Sequence, residues 1–174
     1  ASITKNDTFP APNFEAKDFI SGRQIRLSEF RGKPVVINFG FAGCPPCRWE
    51  APSLKKLSES NPDLVVLSVT DPENNPRESL SSFIKEFQWK FPVLLDSEHV
   101  TKNTDSGSYR VGKITASFDE EMAFPTTFLI NSGGEVVGKV VSYVDWETAE
   151  MKDVLEHLRN GKLRWYYRYL RRLK

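Results

Sequence analysis

The run from Val35 to Pro52, Val-Val-Ile-Asn-Phe-Gly-Phe-Ala-Gly-Cys-Pro-Pro-Cys-Arg-Trp-Glu-Ala-Pro, constrains this chain more than any other stretch. The β-branched residues Val35, Val36 and Ile37 read as a buried strand. Glycines at 40 and 43 break it, and a charged segment with Leu54 and Leu57 at helical spacing follows. The order is strand, tight loop, helix. Cys44 and Cys47, the only cysteines among 174 residues, stand where loop becomes helix.

A helix start offers unpaired backbone N–H groups and the positive end of the helix dipole. A thiolate held there is stabilised and becomes a nucleophile near neutral pH. Two residues of spacing let Cys47 resolve a mixed disulfide formed by Cys44. Pro45 and Pro46 fit the first helical turn, where an N–H lacks a helical partner anyway, but neither can donate to the Cys44 sulfur. The Cys44 pKa is therefore expected to fall, with fewer backbone donors than a motif free of proline would supply. Two other uses of the pair are open. A structural disulfide across two residues closes almost no chain and adds little stability. A zinc site needs two more ligands, and the chain offers only the distant His99 and His157.

The strand 35–39, the Cys44-Pro45-Pro46-Cys47 motif, the trailing Glu50-Ala51-Pro52 and a later Phe124-Pro125-Thr126-Thr127-Phe128-Leu129-Ile130-Asn131 together resemble the cell-envelope thiol–disulfide oxidoreductases of the TlpA, ResA and CcmG type. The resemblance runs from about residue 11 to 161. It implies an α/β thioredoxin fold, with a central mixed sheet flanked by helices and an added N-terminal β-ribbon. It further implies that Pro125 follows a cis bond, faces the cysteines, prevents metal capture and offers backbone to an extended substrate strand. Gly43, Pro45, Pro46, Phe124 and Thr126 would then contact substrate. One position departs from the pattern: where the family usually carries Trp before the first cysteine, this chain has Gly43, so the sulfur pair is expected to be less shielded. Cys47 must lose a proton to act, so a proton carrier is expected. The resemblance places Asp71 where ResA-type proteins carry an active-site glutamate, with Glu50 as the second candidate.

The bulk properties fit one ordinary domain spanning 1–161, with 39% hydrophobic and 27% charged residues and a net charge of +1. No apolar run reaches membrane-spanning length. The sequence starts at Ala1 without Met, which reads as a processed or trimmed form, so a missing leader does not argue for the cytoplasm. Residues 11–33 read as a β-ribbon turning at Ser21-Gly22. Beyond the motif, the pattern predicts a helix over 48–60 kinked at Pro52, a strand over 64–69, a helix over 78–87 and a strand segment over 91–96. A short helix is expected to open at 97–100, leaving His99 on the surface. Residues 112–123 read as an acidic insertion beside the cysteines that shapes substrate choice, or as a solvated loop. Residues 127–130 and 135–141 read as an antiparallel pair, and 146–158 as the last core helix.

The segment 162–174 differs in composition. Six of the 24 basic residues lie there with no acid, which leaves the rest of the chain at −5. Trp165, Tyr169 and Leu173 recur at i, i+4, i+8, making a basic aromatic amphipathic segment. It would lie on an anionic membrane surface, dock on a partner, or pack on its own domain. Nucleic acid is not an expected partner.

The sequence therefore reads as a thiol–disulfide oxidoreductase reducing protein disulfides in the bacterial cell envelope, periplasmic or extracytoplasmic. It would use no cofactor and no metal, and would depend on a disulfide-bearing substrate and a thiol–disulfide electron donor. A peroxiredoxin-like peroxidase is the enzyme alternative, but it needs Thr three residues before the reactive cysteine, and Phe41 stands there. A copper-handling or partner-binding module is the other alternative. Its copper-delivery relatives place three residues between the cysteines and add a histidine.

Overall fold

The computed structural model describes residues 8–169. Strand β1 (Phe9–Pro10) is followed by a ribbon of β2 (Glu15–Asp18) and β3 (Gln24–Arg26) and a 3-10 turn at Leu27–Phe30. Next come β4 (Val35–Phe39), α1 (Pro45–Ser60), β5 (Val65–Thr70), α2 (Arg77–Phe87) and β6 (Val93–Leu95). A hairpin of β7 (His99–Thr104) and β8 (Gly107–Gly112) leads into α3 (Lys113–Phe118). The chain continues through β9 (Thr126–Ile130), β10 (Glu135–Val141), α4 (Ala149–Arg159) and β11 (Tyr166–Tyr169).

Nine strands join in one sheet among the described residues, in the order β1-β10-β9-β4-β5-β6-β2-β3, with β11 also on β10. Strands β4, β5 and β6 are parallel, while β9 runs antiparallel to both β4 and β10. This is the mixed sheet of a thioredoxin-like fold, with the predicted N-terminal ribbon added through β2 on β6.

Alternation along the strands divides the core in two. Val36, Val66 and Leu129 face helices α1, α2 and α4, against Ala51, Leu54, Leu80, Phe83, Met151 and Leu155. Val35, Ile37, Phe39, Leu67, Val69 and Phe128 face the other way, against Ile114 and Phe118 of α3 and Ile25 of the ribbon. Burial on both faces is why β4 reads as a continuous apolar run.

Three expectations are corrected. Residues 97–100 do not open a helix. Val100, Thr101 and Thr104 are β-branched and suit a strand, and the turn closes through Gly107 at φ +136. The long connection is this hairpin rather than a loop at 112–123, most of which is α3 itself. Asp96 holds the start of α3, accepting from the backbone N–H groups of Ile114 and Thr115 at 2.9 Å each and from Thr115 Oγ1 at 2.8 Å. Gly112 is required there, since a Cβ would fall on the Asp96 carboxylate. Finally, the C-terminal aromatic residues follow strand geometry rather than the period of a helix. β11 pairs parallel with β10, and the successive residues Trp165 and Tyr166 pack against the two opposite core clusters. Residues 170–174 of that segment, Leu173 among them, lie outside the described residues.

Candidate active site

Cys44 is the N-cap of α1, in extended conformation, and Pro45 and Pro46 occupy the first helical positions. Cys44 and Cys47 are joined as a disulfide with Cα atoms 5.2 Å apart. The prolines leave Cys47 N–H as the motif's backbone donor to the Cys44 sulfur, at 3.3 Å. Cys44 N–H donates to the Phe41 carbonyl at 3.2 Å, which closes the tight loop after β4. Despite Gly43, the pair is well covered: Cys44 is 4% and Cys47 6% exposed. A side chain at 43 would begin 3.8 Å from the Phe41 ring, so that ring stands beside the position the missing side chain would take.

The Phe124–Pro125 bond is cis. Thr126 pairs in register with Phe39, so the turn before β9 lies alongside the loop that carries the cysteines. Phe124, 40% exposed, packs edge-on against Phe41 with ring centroids 5.7 Å apart. Pro125 is buried, its carbonyl accepting from Ser142 N–H at 2.8 Å. Thr126 Oγ1 donates back to the Ala123 carbonyl at 2.7 Å. A second edge-on aromatic pair, Trp49 with Tyr143 at 5.1 Å, joins the cysteine helix to the segment that follows Ser142.

Glu50 lies three residues after Cys47, on the same face of α1. It is 1% exposed and is ringed by donors. Trp146 Nε1 donates to Oε1 at 3.0 Å, Val144 N–H to Oε1 at 3.4 Å, and Asn38 Nδ2 to Oε2 at 3.1 Å. All three bonds favour the carboxylate, but burial outweighs them and pushes the Glu50 pKa up to about 8. Asn38 and Ser68 are partners in the β4–β5 register, and Asn38 and Thr127 in the β4–β9 register. A polar row thus crosses three strands under the start of α1, where the positions two residues along the same strands hold Val36, Val66 and Leu129. Cys47, Asn38, Gly40, Ser68 and Thr70 line one small cavity in this row.

Asp71 is placed differently. Its Oδ2 lies 2.9 Å from His99 Nε2, and its Oδ1 accepts from Glu73 N–H at 2.8 Å. It is not among the residues lining the cavity at Cys47. The His99 side chain is 5% exposed, held between Asp71 and Glu73, and so is not the surface residue expected. Sequence reasoning did not single out Asn38, Thr127 or Trp146. The available signal was Asn38 itself, one polar residue inside the apolar run 35–39. Among the described residues no group of three or more His, Cys, Asp or Glu is placed to hold a metal, and no helix is long and apolar enough to cross a membrane.

The profile of the AhpC/TSA family matches residues 9–139. The thiol–disulfide oxidoreductase ResA of Bacillus cereus is 32% identical over 136 residues, 75% of this chain and 67% of that protein. ResA of Geobacillus thermodenitrificans is 30% identical over 156 residues, 87% of this chain and 76% of that protein. Among solved structures, a secreted Mycobacterium tuberculosis disulfide oxidoreductase homologous to Escherichia coli DsbE superposes with a TM-score of 0.58. It is 24% identical and covers 71% of this chain and 79% of its own. With a cysteine pair at the start of α1, a cis-proline beside it and relatives of this kind, the chain belongs to the AhpC/TSA family and, within it, to the ResA-type thiol–disulfide oxidoreductases.

Proposed function

We propose that the chain works as a reductant of disulfides in partner proteins outside the cytoplasm, with Cys44 as attacking and Cys47 as resolving sulfur. The Cys44 thiolate attacks one sulfur of the substrate disulfide and expels the other as a thiolate, leaving a mixed disulfide. Cys47 then gives up its proton and attacks the Cys44 sulfur. The second substrate sulfur leaves and takes up a proton. The substrate gains two electrons and the pair ends as the disulfide, so a dithiol donor must restore it.

The observation that carries the direction is the donor set at Cys44. With Pro45 and Pro46 in the first turn, the motif brings one backbone N–H to the sulfur. Thiolate stabilisation lowers the reducing power of such a pair, the strong oxidant DsbA being the extreme case. A pair with few donors is therefore the better reductant. Glu50, rather than Asp71, is the proton carrier in this reading: it sits one turn from Cys47 with an affinity for protons near neutrality, whereas Asp71 is engaged by His99. Pro125 and Thr126, with Phe124, Gly43 and the motif prolines, form the surface that meets the substrate strand.

The relatives' names support the reaction, and the secreted relative supports an extracytoplasmic location. Contact with an anionic membrane would fall to the basic residues of 162–174, since Trp165 and Tyr166 pack on the domain itself. Equilibration of the pair against defined thiol buffers tests the direction. A potential near or below about −270 mV is expected, and one near about −120 mV overturns the reading in favour of a disulfide donor. A Cys47→Ser variant should accumulate mixed disulfides on Cys44, which would identify the substrate by capture.

A further inference from the structure

Beside the cavity at Cys47, and sharing Gly40, Phe41 and Thr70 with it, lies a second cavity of about 200 Å³, lined also by Val69, Asp71 and Phe124. That is below the roughly 300–1,000 Å³ of small-molecule sites and suits a single side chain. It is continuous with the reactive surface in three ways. Phe41 holds Cys44 N–H, Phe124 precedes the cis-proline, and Gly40 borders the cavity at Cys47 as well.

The chemistry of the lining is specific. Phe41, Val69 and Phe124 form apolar walls. Asp71 is the one ionisable residue in the lining, and it keeps 15% of its side-chain surface open. Its orientation is fixed by His99 of β7, by Glu73 N–H and by Asn74 Nδ2. The neighbouring Glu73 is paired with Arg110 of β8 at 3.1 Å. The rim is pinned as well: Asn75 accepts from Ala42 N–H and donates to Thr70 Oγ1. An aliphatic stem against aromatic walls with a cationic head on a carboxylate is how lysine and arginine side chains are held.

We propose that this cavity is a specificity pocket for a basic side chain lying next to the reactive cysteine of the substrate protein, with Asp71 as its recognition group and the β7–β8 hairpin as the support that positions Asp71 through His99. The proposal rests on the oxidoreductase reading and names the substrate class of the same site.

The test uses the full chain, reduced, and three cysteine peptides carried as mixed disulfides with thionitrobenzoate, identical except for Lys, Gln or Glu beside the cysteine. Colour release in single turnovers, with peptide in excess over the reduced chain, gives for each a limiting rate and a half-saturating concentration, which serve as kcat and KM. The Lys peptide should exceed the Glu peptide in kcat/KM by about tenfold, mostly through KM and less at high salt, on the scale of partly exposed ion pairs acting with opposite sign. In Asp71→Asn the ratio should fall toward one, and in Asp71→Lys the Glu peptide should become the better substrate. An unchanged ratio in both variants overturns the proposal. So does an equal loss in kcat for all three peptides with an altered pH profile, which would make Asp71 a proton carrier. If no peptide is reduced, the oxidoreductase reading itself fails, a result distinguishable from equal reduction of all three.

Discussion

Asn38 donates through Nδ2 to Glu50 Oε2 across 3.1 Å, tying strand β4 to helix α1 beneath the disulfide. The same nitrogen donates to Thr127 Oγ1 at 2.9 Å. A buried amide and a buried carboxyl are costly in a core unless their hydrogen bonds are made. Here they are made, and what remains is a carboxyl that burial keeps protonated up to about pH 8. Replacing Glu50 by an apolar residue would leave the buried donors of Asn38 and Trp146 unpaired, and the arrangement keeps a titratable group one helical turn from Cys47.

Glu50→Gln should therefore slow the release of the second substrate thiol, the step that needs Cys47 deprotonated. The expected loss is about a hundredfold near pH 7, at the lower end of what a positioned acid or base contributes. Formation of the first mixed disulfide on Cys44 should change much less. Rapid-quench single turnovers with alkylation of the intermediate separate the two steps. Equal slowing of both would show that the variant had disturbed the helix start rather than a proton transfer.

The same carboxyl makes stability depend on pH. Burial raises it from 4.5 to about 8 in the folded chain. Between those values the folded protein holds a proton that the unfolded chain has lost, so stability falls as pH rises. The contribution is complete below about pH 4.5 and is gone once pH passes through 8. Over the whole window the difference is on the order of 5 kcal/mol, at about 1.4 kcal/mol per unit. Urea midpoints of the wild type should decline across this range more steeply than those of Glu50→Gln. Parallel profiles would mean that Glu50 is ionised throughout.

Much of this was legible because the signals are local. The strand, loop and helix around the cysteines, the β9–β10 pair and helices α2 and α4 all announce themselves by alternation, helical spacing or turn residues within a dozen positions. The hairpin of β7 and β8 does not. Its residues are mostly exposed on both faces, so no buried period marks it. His99 reads as a surface residue because Asp71, which covers it, lies 28 positions away. The row Ser68–Asn38–Thr127 exists only through strand register, which a single strand's sequence does not contain. Trp165 and Tyr169 match a helical spacing, yet β11 is a strand. Pairing with β10 and two apolar clusters on opposite faces outweigh local periodicity there.

Gly40 is restricted by sulfur rather than by backbone conformation. A Cβ at this position would stand 2.9 Å from Cys47 Sγ in the oxidised protein. Gly40→Ala should cost about 1–3 kcal/mol as overpacking, and lower Tm by roughly 2–4 °C per kcal/mol. Reduction frees the Cys47 sulfur to turn away, so the loss should be smaller in the reduced form. Melting both forms of the variant beside the wild type checks this. Equal losses in the two forms would show that the strain is not at the sulfur.

The C-terminal segment offers a test of whether it belongs to the domain. Trp165 and Tyr166 are half-buried against the two core clusters, β11 pairs with β10 over four residues, and Arg168 bridges to Glu150 of α4 at 2.8 Å. Partial burial of two large aromatic side chains is worth about 2–4 kcal/mol, while the exposed ion pair adds less than about 1 kcal/mol. Trp165→Ala with Tyr166→Ala should lower the urea midpoint by an amount in that range, with no change in the reduction potential of the cysteine pair. Replacing Arg171 and Arg172 by Gln should leave the midpoint where it is and weaken any sedimentation with anionic vesicles. If the aromatic double variant melts like the wild type, residues 162–169 are not part of the folded core, and the segment is free to act as a surface-binding tail.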